Sequence, residues 1–213
     1  MRFYLSSYGV GSDVERLKGL IPRDNAKFGY IPNALDFTGA DPERRRKQGL
    51  NTMDALRQVG MDPELLDLKD YFGKNSELEA KMSELGGVWI SGGNTFVLRQ
   101  AMRLSGLDEV LKGSSLRADF LYGGFSAAGC VLAPNLHAYQ VVDNPNDFPY
   151  SEVIETIWEG LGLVDFAFMP HFDSDHSESA DIDREIQYCK EHHIPFKAVR
   201  DGEVIIIGMD TGL

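Results

Sequence analysis

Apolar residues follow two alternating patterns along this chain of 213 residues. Short continuous runs are typical of strands buried on both faces, whereas apolar residues three or four positions apart are typical of one helix face. Helical spacing follows Asp41, Ser76 and Asn94, and it returns over 182–189. The short runs predict strands over 1–5, 65–68, 88–90, 120–122, 164–169, 196–199 and 204–207. This alternation predicts an α/β fold with a mostly parallel sheet covered by helices on both faces.

The sequence shows no internal boundary. It has no Pro/Gly/Ser-rich linker, low-complexity tract or repeat, and its length suits one well-filled core. We therefore expect one α/β domain over residues 1–213. Between the last two apolar runs, Asp201-Gly202 predicts a β-hairpin turn.

The segment Gly123-Gly124-Phe125-Ser126-Ala127-Ala128 has the composition of a nucleophile elbow. In an elbow, a sharp strand-to-helix turn lifts one hydroxyl above the sheet, and small neighbours let the backbone fold beneath it. The helix N-terminus also favours developing negative charge. The usual pattern is Gly-x-Ser-x-Gly, and Ala128 takes the place of the second glycine. The segment predicts Ser126 as a nucleophile, with a helix-capping serine in a Gly-rich turn as the alternative.

A serine nucleophile needs a base, an orienting acid and an oxyanion site. His171 follows the run 164–169, which places it at the same sheet edge as Ser126, because parallel strands end at one edge. Gly92-Gly93-Asn94 follows the run 88–90 and, together with Ala127, offers backbone N–H groups to an oxyanion. The alternatives are a tight turn for the glycines and a helix-capping or metal-binding role for His171.

Two other chemistries compete with a serine nucleophile. Segment 171–178 is rich in histidines and acids, like a metal-binding loop, but it lacks the turn glycine of hard-cation loops and the closed N/S ligation of zinc sites. Cys130 lies about one helical turn past Ser126 and should face packed residues rather than solvent. We expect neither a metal ion nor an organic cofactor.

Charge and cysteine content restrict the partners. The 33 acidic and 21 basic residues give a formal net charge of −12, which argues against nucleic acids and anionic membrane surfaces. No apolar stretch has membrane-spanning length, and the chain begins with an expected strand rather than a secretory leader. Two cysteines form no disulfide framework. We expect a cytoplasmic protein, monomeric or homodimeric, without nucleic-acid or membrane partners.

Three motifs together resemble the peptidase E (alpha-aspartyl dipeptidase) family of serine peptidases, in that family's order and at similar spacing. They are Ser91-Gly92-Gly93-Asn94-Thr95-Phe96, Gly124-Phe125-Ser126-Ala127 and Pro170-His171-Phe172. The resemblance implies a three-layer, flavodoxin-like sandwich of the class I glutamine-amidotransferase type, with Ser126 as nucleophile and His171 as base. It also implies Asp143 or Asp201 as the third triad member. Asp143 is preferred, because Asp201-Gly202 is also good turn chemistry.

Substrate preference is where this sequence departs from the resemblance. The aspartyl-specific members resemble one another in an arginine shortly after the histidine segment, which pairs with the substrate's aspartate. This chain has Ala180 at the aligned position, and Arg184 lies one helical turn further on. We expect hydrolysis of short peptides without strong preference for N-terminal aspartate, with Arg184 as the candidate substrate-binding cation. A non-catalytic ligand-binding relative and another amide or ester hydrolase are the alternatives.

Overall fold

A computed structural model of the protein describes residues 1–208, so the last residues of the expected domain, 209–213, lie outside the described part. Strands and helices alternate as the sequence predicts. The strands are β1 (Arg2–Ser6), β2 (Lys27–Ile31), β3 (Asp62–Leu65), β4 (Gly87–Ile90), β5 (Leu121–Phe125), β6 (Ala167–Met169), β7 (Phe196–Ala198) and β8 (Val204–Ile207). The helices are α1 (Val14–Leu20), α2 (Pro42–Gln58), α3 (Asn75–Ser83), α4 (Thr95–Ser105), α5 (Leu107–Lys112), α6 (Ala127–Cys130) and α7 (Ser179–Glu191).

The central sheet has six strands in the order β3-β2-β4-β5-β1-β8, and β6 pairs with β7 in a second, two-stranded sheet. All neighbours in the central sheet are parallel except β1 and β8, which are antiparallel. The predicted mostly parallel sheet is therefore confirmed.

Helices cover both faces of this sheet. Along β4, Val88 and Ile90 pack into one hydrophobic cluster, and Trp89 between them packs into the other. Residues of α1 and α2 join the Trp89 side, whereas α3, α4, α5 and α7 join the opposite side. The strands carry apolar residues on both faces for this reason, and the result is a three-layer sandwich. No helix within residues 1–208 is both long enough and apolar enough to cross a bilayer.

Two local predictions are wrong. The predicted hairpin around Asp201-Gly202 does not form, because β7 pairs in parallel with β6 whereas β8 pairs antiparallel with β1. The strand predicted over 65–68 is displaced: β3 ends at Leu65, and a 3-10 helix begins at Leu68. The Asp67 carboxylate accepts the Lys69 N–H at 3.1 Å, which caps that helix and ends the extended backbone.

Candidate active site

Ser126 stands in a strained backbone conformation between β5 and α6. Its φ of 51° and ψ of −113° lie in a region that residues with a side chain rarely adopt. Its N–H donates to the Ser6 carbonyl at 3.1 Å, and its carbonyl accepts the Gly129 N–H at 2.8 Å, so neighbours on both sides hold the turn. The Ser126 hydroxyl makes no capping bond to the helix. The backbone thus forms the sharp strand-to-helix turn of an elbow, and the Ser126 hydroxyl is not used to cap α6.

Ala128 fits into the elbow because Gly124 has no side chain. A Cβ on Gly124 would lie 2.5 Å from the Ala128 Cβ and 2.5 Å from the Ile90 carbonyl oxygen. Ala128 itself is fully buried, and its carbonyl accepts a hydrogen bond from the Tyr122 hydroxyl at 2.7 Å. The departure from Gly-x-Ser-x-Gly is thus accommodated by packing within the turn.

His171 follows β6 and is fixed on two sides. Its Nδ1 lies 2.7 Å from Oδ1 of Asp201, and its backbone N–H donates to Ser7 Oγ at 2.8 Å. The Ser7 hydroxyl donates in turn to the same Asp201 oxygen at 2.7 Å. The Asp201 N–H donates to Ser174 Oγ at 2.8 Å, which holds the carboxylate's own backbone. A carboxylate at Nδ1 favours the tautomer whose Nε2 is unprotonated.

Burial sets the protonation state of His171. The side chain is 2% exposed, and loss of hydration lowers its pKa below the usual 6.5, with the hydrogen bond to Asp201 acting in the opposite direction. The imidazole is therefore neutral at pH 7, which is the state a general base requires.

Asp143, the preferred third triad member, lies elsewhere in the site. Its Oδ2 accepts the Thr95 N–H at 2.8 Å at the start of α4. Burial raises the pKa of Asp143 to about 7. Among the described contacts of His171, the carboxylate at Nδ1 belongs to Asp201. The carboxylate that the fold brings to His171 is thus Asp201 rather than the preferred Asp143, because β7 and β8 belong to different sheets and the link between them carries Asp201 back to His171.

The loop after β4 passes close to Ser126. A Cβ on Gly92 would lie 3.1 Å from the Ser126 Cβ, and Gly93 has a φ of 141° with the Ala34 carbonyl 2.3 Å from where its Cβ would be. Within residues 1–208, the N–H groups of Gly93 and Ala127 form no hydrogen bond with the protein. Asn94 instead caps α4, because its Oδ1 accepts the N–H groups of Phe96 at 2.8 Å and Val97 at 3.0 Å.

Arg184 does not reach the cavity. Its side chain is 66% exposed and pairs with Asp181 on the outer face of α7. The next residue, Glu185, is 1% exposed and lines the cavity instead. The expectation of a substrate-binding Arg184 was wrong, because the apolar stripe of α7 turns position 185, not 184, toward the interior.

His171, His176 and Glu178 could offer ligands to a metal ion. One ligand atom of each lies within 4.8 Å of the others. However, the two imidazoles are stacked, with centroids 3.7 Å apart and planes 8° from parallel. Zinc lies about 2.0–2.1 Å from a coordinating imidazole nitrogen, near the ring plane, so one ion cannot meet both rings while they are stacked. Binding would require one ring to turn.

These residues surround one cavity of about 680 Å³, a volume typical of small-molecule sites. Ser126, His171 and Gly93 line it, α2 contributes Arg44 and Arg45, and the acidic residues at the cavity include Asp143, Glu178 and Glu185. Cys130 also borders the cavity but is fully buried, and burial raises the pKa of its thiol well above the usual value. A protonated thiol is a poor nucleophile, which disfavours the Cys130 alternative.

Sequence reasoning missed Ser7, Ser174 and Glu185. Ser7 directly follows β1, the strand beside β5, so its place at the end of a predicted strand could have identified it. Glu185 lies within the apolar stripe of α7, where an acid on the buried face is itself a signal. Nothing in the sequence marks Ser174.

Known peptidases are similar to this chain over much of its length. Residues 12–212 match the model of peptidase family S51. Peptidase E of Streptomyces coelicolor is 27% identical over 205 residues, which cover 94% of this chain and 75% of that protein. An uncharacterized peptidase of Listeria monocytogenes is 30% identical over 120 residues, so the match covers 56% of this chain and about half, 55%, of that relative.

The fold recurs in a crystal structure of a peptidase E candidate from Listeria monocytogenes. The two structures superpose with a TM-score of 0.71 over 98% of each chain, at 21% sequence identity. The family match extends from α1 past the end of the described residues and includes Ser126, His171 and Asp201. This chain therefore belongs to peptidase family S51.

Proposed function

We propose that this protein is a serine peptidase that hydrolyses short peptides, dipeptides above all. Ser126 is the nucleophile, His171 the general base and Asp201 the acid that orients it. The observation that carries the proposal is the neutral, buried His171, with its Nδ1 2.7 Å from Asp201, in the same cavity as the strained Ser126. The name of the Streptomyces relative, peptidase E, supports the same activity.

The chemistry follows from these positions. Ser126 Oγ attacks the scissile carbonyl while His171 Nε2 accepts its proton, and Asp201 stabilises the imidazolium that forms. The N–H groups of Gly93 and Ala127 stabilise the oxyanion, because neither is engaged by another described residue. His171 then protonates the leaving amine, and water releases the acyl group by the reverse roles.

The cavity supports a small substrate. At about 680 Å³, it lies within the range of about 300–1,000 Å³ typical of small-ligand sites. Arg44 on one wall and acidic side chains on another suit a substrate with polar or charged groups at both ends, whereas Arg45 is paired with Asp36 at 2.6 Å. The proposal also includes three expectations from the sequence: the chain forms one domain, the protein is cytoplasmic, and it is a monomer or a homodimer.

The test combines covalent labelling with turnover. A serine-directed fluorophosphonate should modify Ser126, identified by peptide mass spectrometry, and Ser126→Ala should abolish both labelling and hydrolysis of a dipeptide library. Ser114→Ala, a change at an exposed serine outside the cavity, should alter neither. If Ser126→Ala still hydrolysed the dipeptides, the nucleophile would be a residue other than Ser126. No turnover by the unmodified protein on peptides, amides or esters would favour the non-catalytic ligand-binding alternative.

A further inference from the structure

The wall of the cavity formed by Asp143 and Glu185 carries two acids without a counter-charge. Glu185 is 1% exposed, and the one described residue that hydrogen-bonds its carboxylate is Val142, whose N–H donates to Oε1 at 3.2 Å. Asp143 accepts the Thr95 N–H at 2.8 Å. Within residues 1–208, neither carboxylate forms an ion pair with a lysine, arginine or histidine.

A third oxygen at this wall, the Thr95 hydroxyl, lies beside the Asp143 carboxylate. Thr95 is fully buried and lines the same cavity, but its Oγ1 makes no hydrogen bond of normal geometry with a described residue. Buried hydroxyl groups in folded proteins are nearly always hydrogen-bonded, so an unused one at a cavity wall points to a ligand. The backbone N–H of the same residue holds Asp143, which places hydroxyl and carboxylate side by side.

The empty site is unfavourable to negative charge. Burial raises the pKa of Glu185 to about 9, and repulsion from Asp143 and Glu178 adds to that effect. These two acids, Glu185 buried and Asp143 half-buried, repel one another and would also repel an acidic substrate side chain. A bound cation would lower the pKa of Glu185 and of Asp143 again, since it would stabilise both carboxylates in their ionised form.

We propose that Asp143, Glu185 and Thr95 form a subsite for a primary ammonium group on the N-terminal residue of the substrate. An ammonium group has three N–H donors and no acceptor, and the wall offers two carboxylates and one hydroxyl oxygen. The proposal rests on the proposed function for its substrate, a short peptide, and assigns which end of the peptide this wall binds. The ammonium can be the α-amino group or the side chain of an N-terminal lysine.

The two sources can be separated by binding measurements that need no turnover. In a Ser126→Ala background, calorimetry would compare Lys-Leu with norleucyl-leucine, which lacks only the side-chain ammonium. It would also compare Ala-Leu with N-acetyl-Ala-Leu, which lacks the α-ammonium. The ammonium group that occupies the subsite is the one whose removal from the peptide raises the dissociation constant at least about tenfold, as expected for hydrogen bonds to a charged group.

Glu185→Gln then tests the wall itself. Glutamine has nearly the same size, and its amide oxygen can still accept the Val142 N–H, so the fold should be kept. The preference is the ratio of the dissociation constants of the uncharged and the charged peptide. Glu185→Gln should reduce this ratio at least about threefold, and Asp143→Asn should also reduce it. Glu191→Gln removes the same charge from the exposed end of α7 and should leave the preference unchanged.

The outcomes distinguish this proposal from the proposed function. If neither ammonium improves binding, or if Glu185→Gln and Asp143→Asn leave both preferences intact, the subsite is refuted whether or not the protein is a peptidase. If the preferences depend on Glu185 but the unmodified protein hydrolyses no peptide, the subsite stands and the proposed function fails.

Discussion

Oδ1 of Asp201 lies 2.7 Å from Nδ1 of His171 and also accepts the Ser7 hydroxyl at 2.7 Å. One carboxylate oxygen thus joins residues from the ends of β1 and β6 and from the link between β7 and β8. Because the same serine accepts the His171 N–H at 2.8 Å, the ring is fixed through both its side chain and its backbone.

Asp201→Asn should lower kcat about 10³-fold or more with little change in KM, because an amide at Nδ1 favours the wrong imidazole tautomer. The measurement is steady-state hydrolysis of the best dipeptide found in the library. Asp143→Asn is the matched comparison and should act mainly on substrate binding. A loss of kcat in Asp143→Asn with Asp201→Asn fully active would restore Asp143 as the orienting acid.

Ser7→Ala should lower kcat about tenfold and reduce the free energy of unfolding by about 1–3 kcal/mol, because it leaves the buried His171 N–H without an acceptor. Kinetics and denaturant unfolding on one preparation would measure both effects. Ser12→Ala removes an exposed hydroxyl that donates to the Gly202 carbonyl and should have little effect on either. Equal kinetic effects of the two variants would argue against a positioning role for Ser7.

Gly124→Ala should destabilise the fold by about 2 kcal/mol or more, because the new methyl would clash with Ala128 and with the Ile90 carbonyl, each at 2.5 Å. Gly19→Ala is the control: a Cβ there meets no atom within 4 Å, and alanine in a helix should stabilise by about 0.5–1 kcal/mol. Urea unfolding would compare the two. A neutral Gly124→Ala would show that the elbow has spare room.

Glu185→Gln should change how stability depends on pH. The pKa of Glu185 rises from 4.5 when unfolded to about 9 when folded, so between these values the folded state binds more protons and stability falls as pH rises. Glutamine does not titrate and escapes this loss. The variant should therefore melt near the parent at pH 5 and about 5 °C or more above it at pH 9.

Thermal unfolding at pH 5, 7 and 9 would check this, with Glu191→Gln as the exposed control on the same helix. Asp143, Glu178 and Asp181 are the acids that face Glu185, and they are unchanged in both variants. A pH-independent difference between Glu185→Gln and the parent would mean that Glu185 is ionised in the folded protein over the whole range.

The sequence by itself determined the alternation of strands and helices and the position of the elbow, although it did not indicate β2 or α1. Continuous apolar runs such as 88–90 must be buried on both faces, and helices of amphipathic spacing between them leave a mostly parallel sheet as the way to bury them. The small residues on both sides of Ser126 indicated the elbow, because only small side chains let the backbone turn so sharply. These features are local, and local sterics can be derived from sequence.

Only the tertiary structure decided which acid meets His171 and which charge faces the cavity. The sequence favoured Asp143 because Asp201-Gly202 is also good turn chemistry, but β7 and β8 join different sheets, which brings Asp201 to His171 and replaces the expected hairpin. Likewise, Arg184 and Glu185 are adjacent, yet the packing of α7 turns one to solvent and the other into the cavity. Contacts between residues far apart in the chain depend on strand order and on helix rotation, and neither is specified by a local pattern.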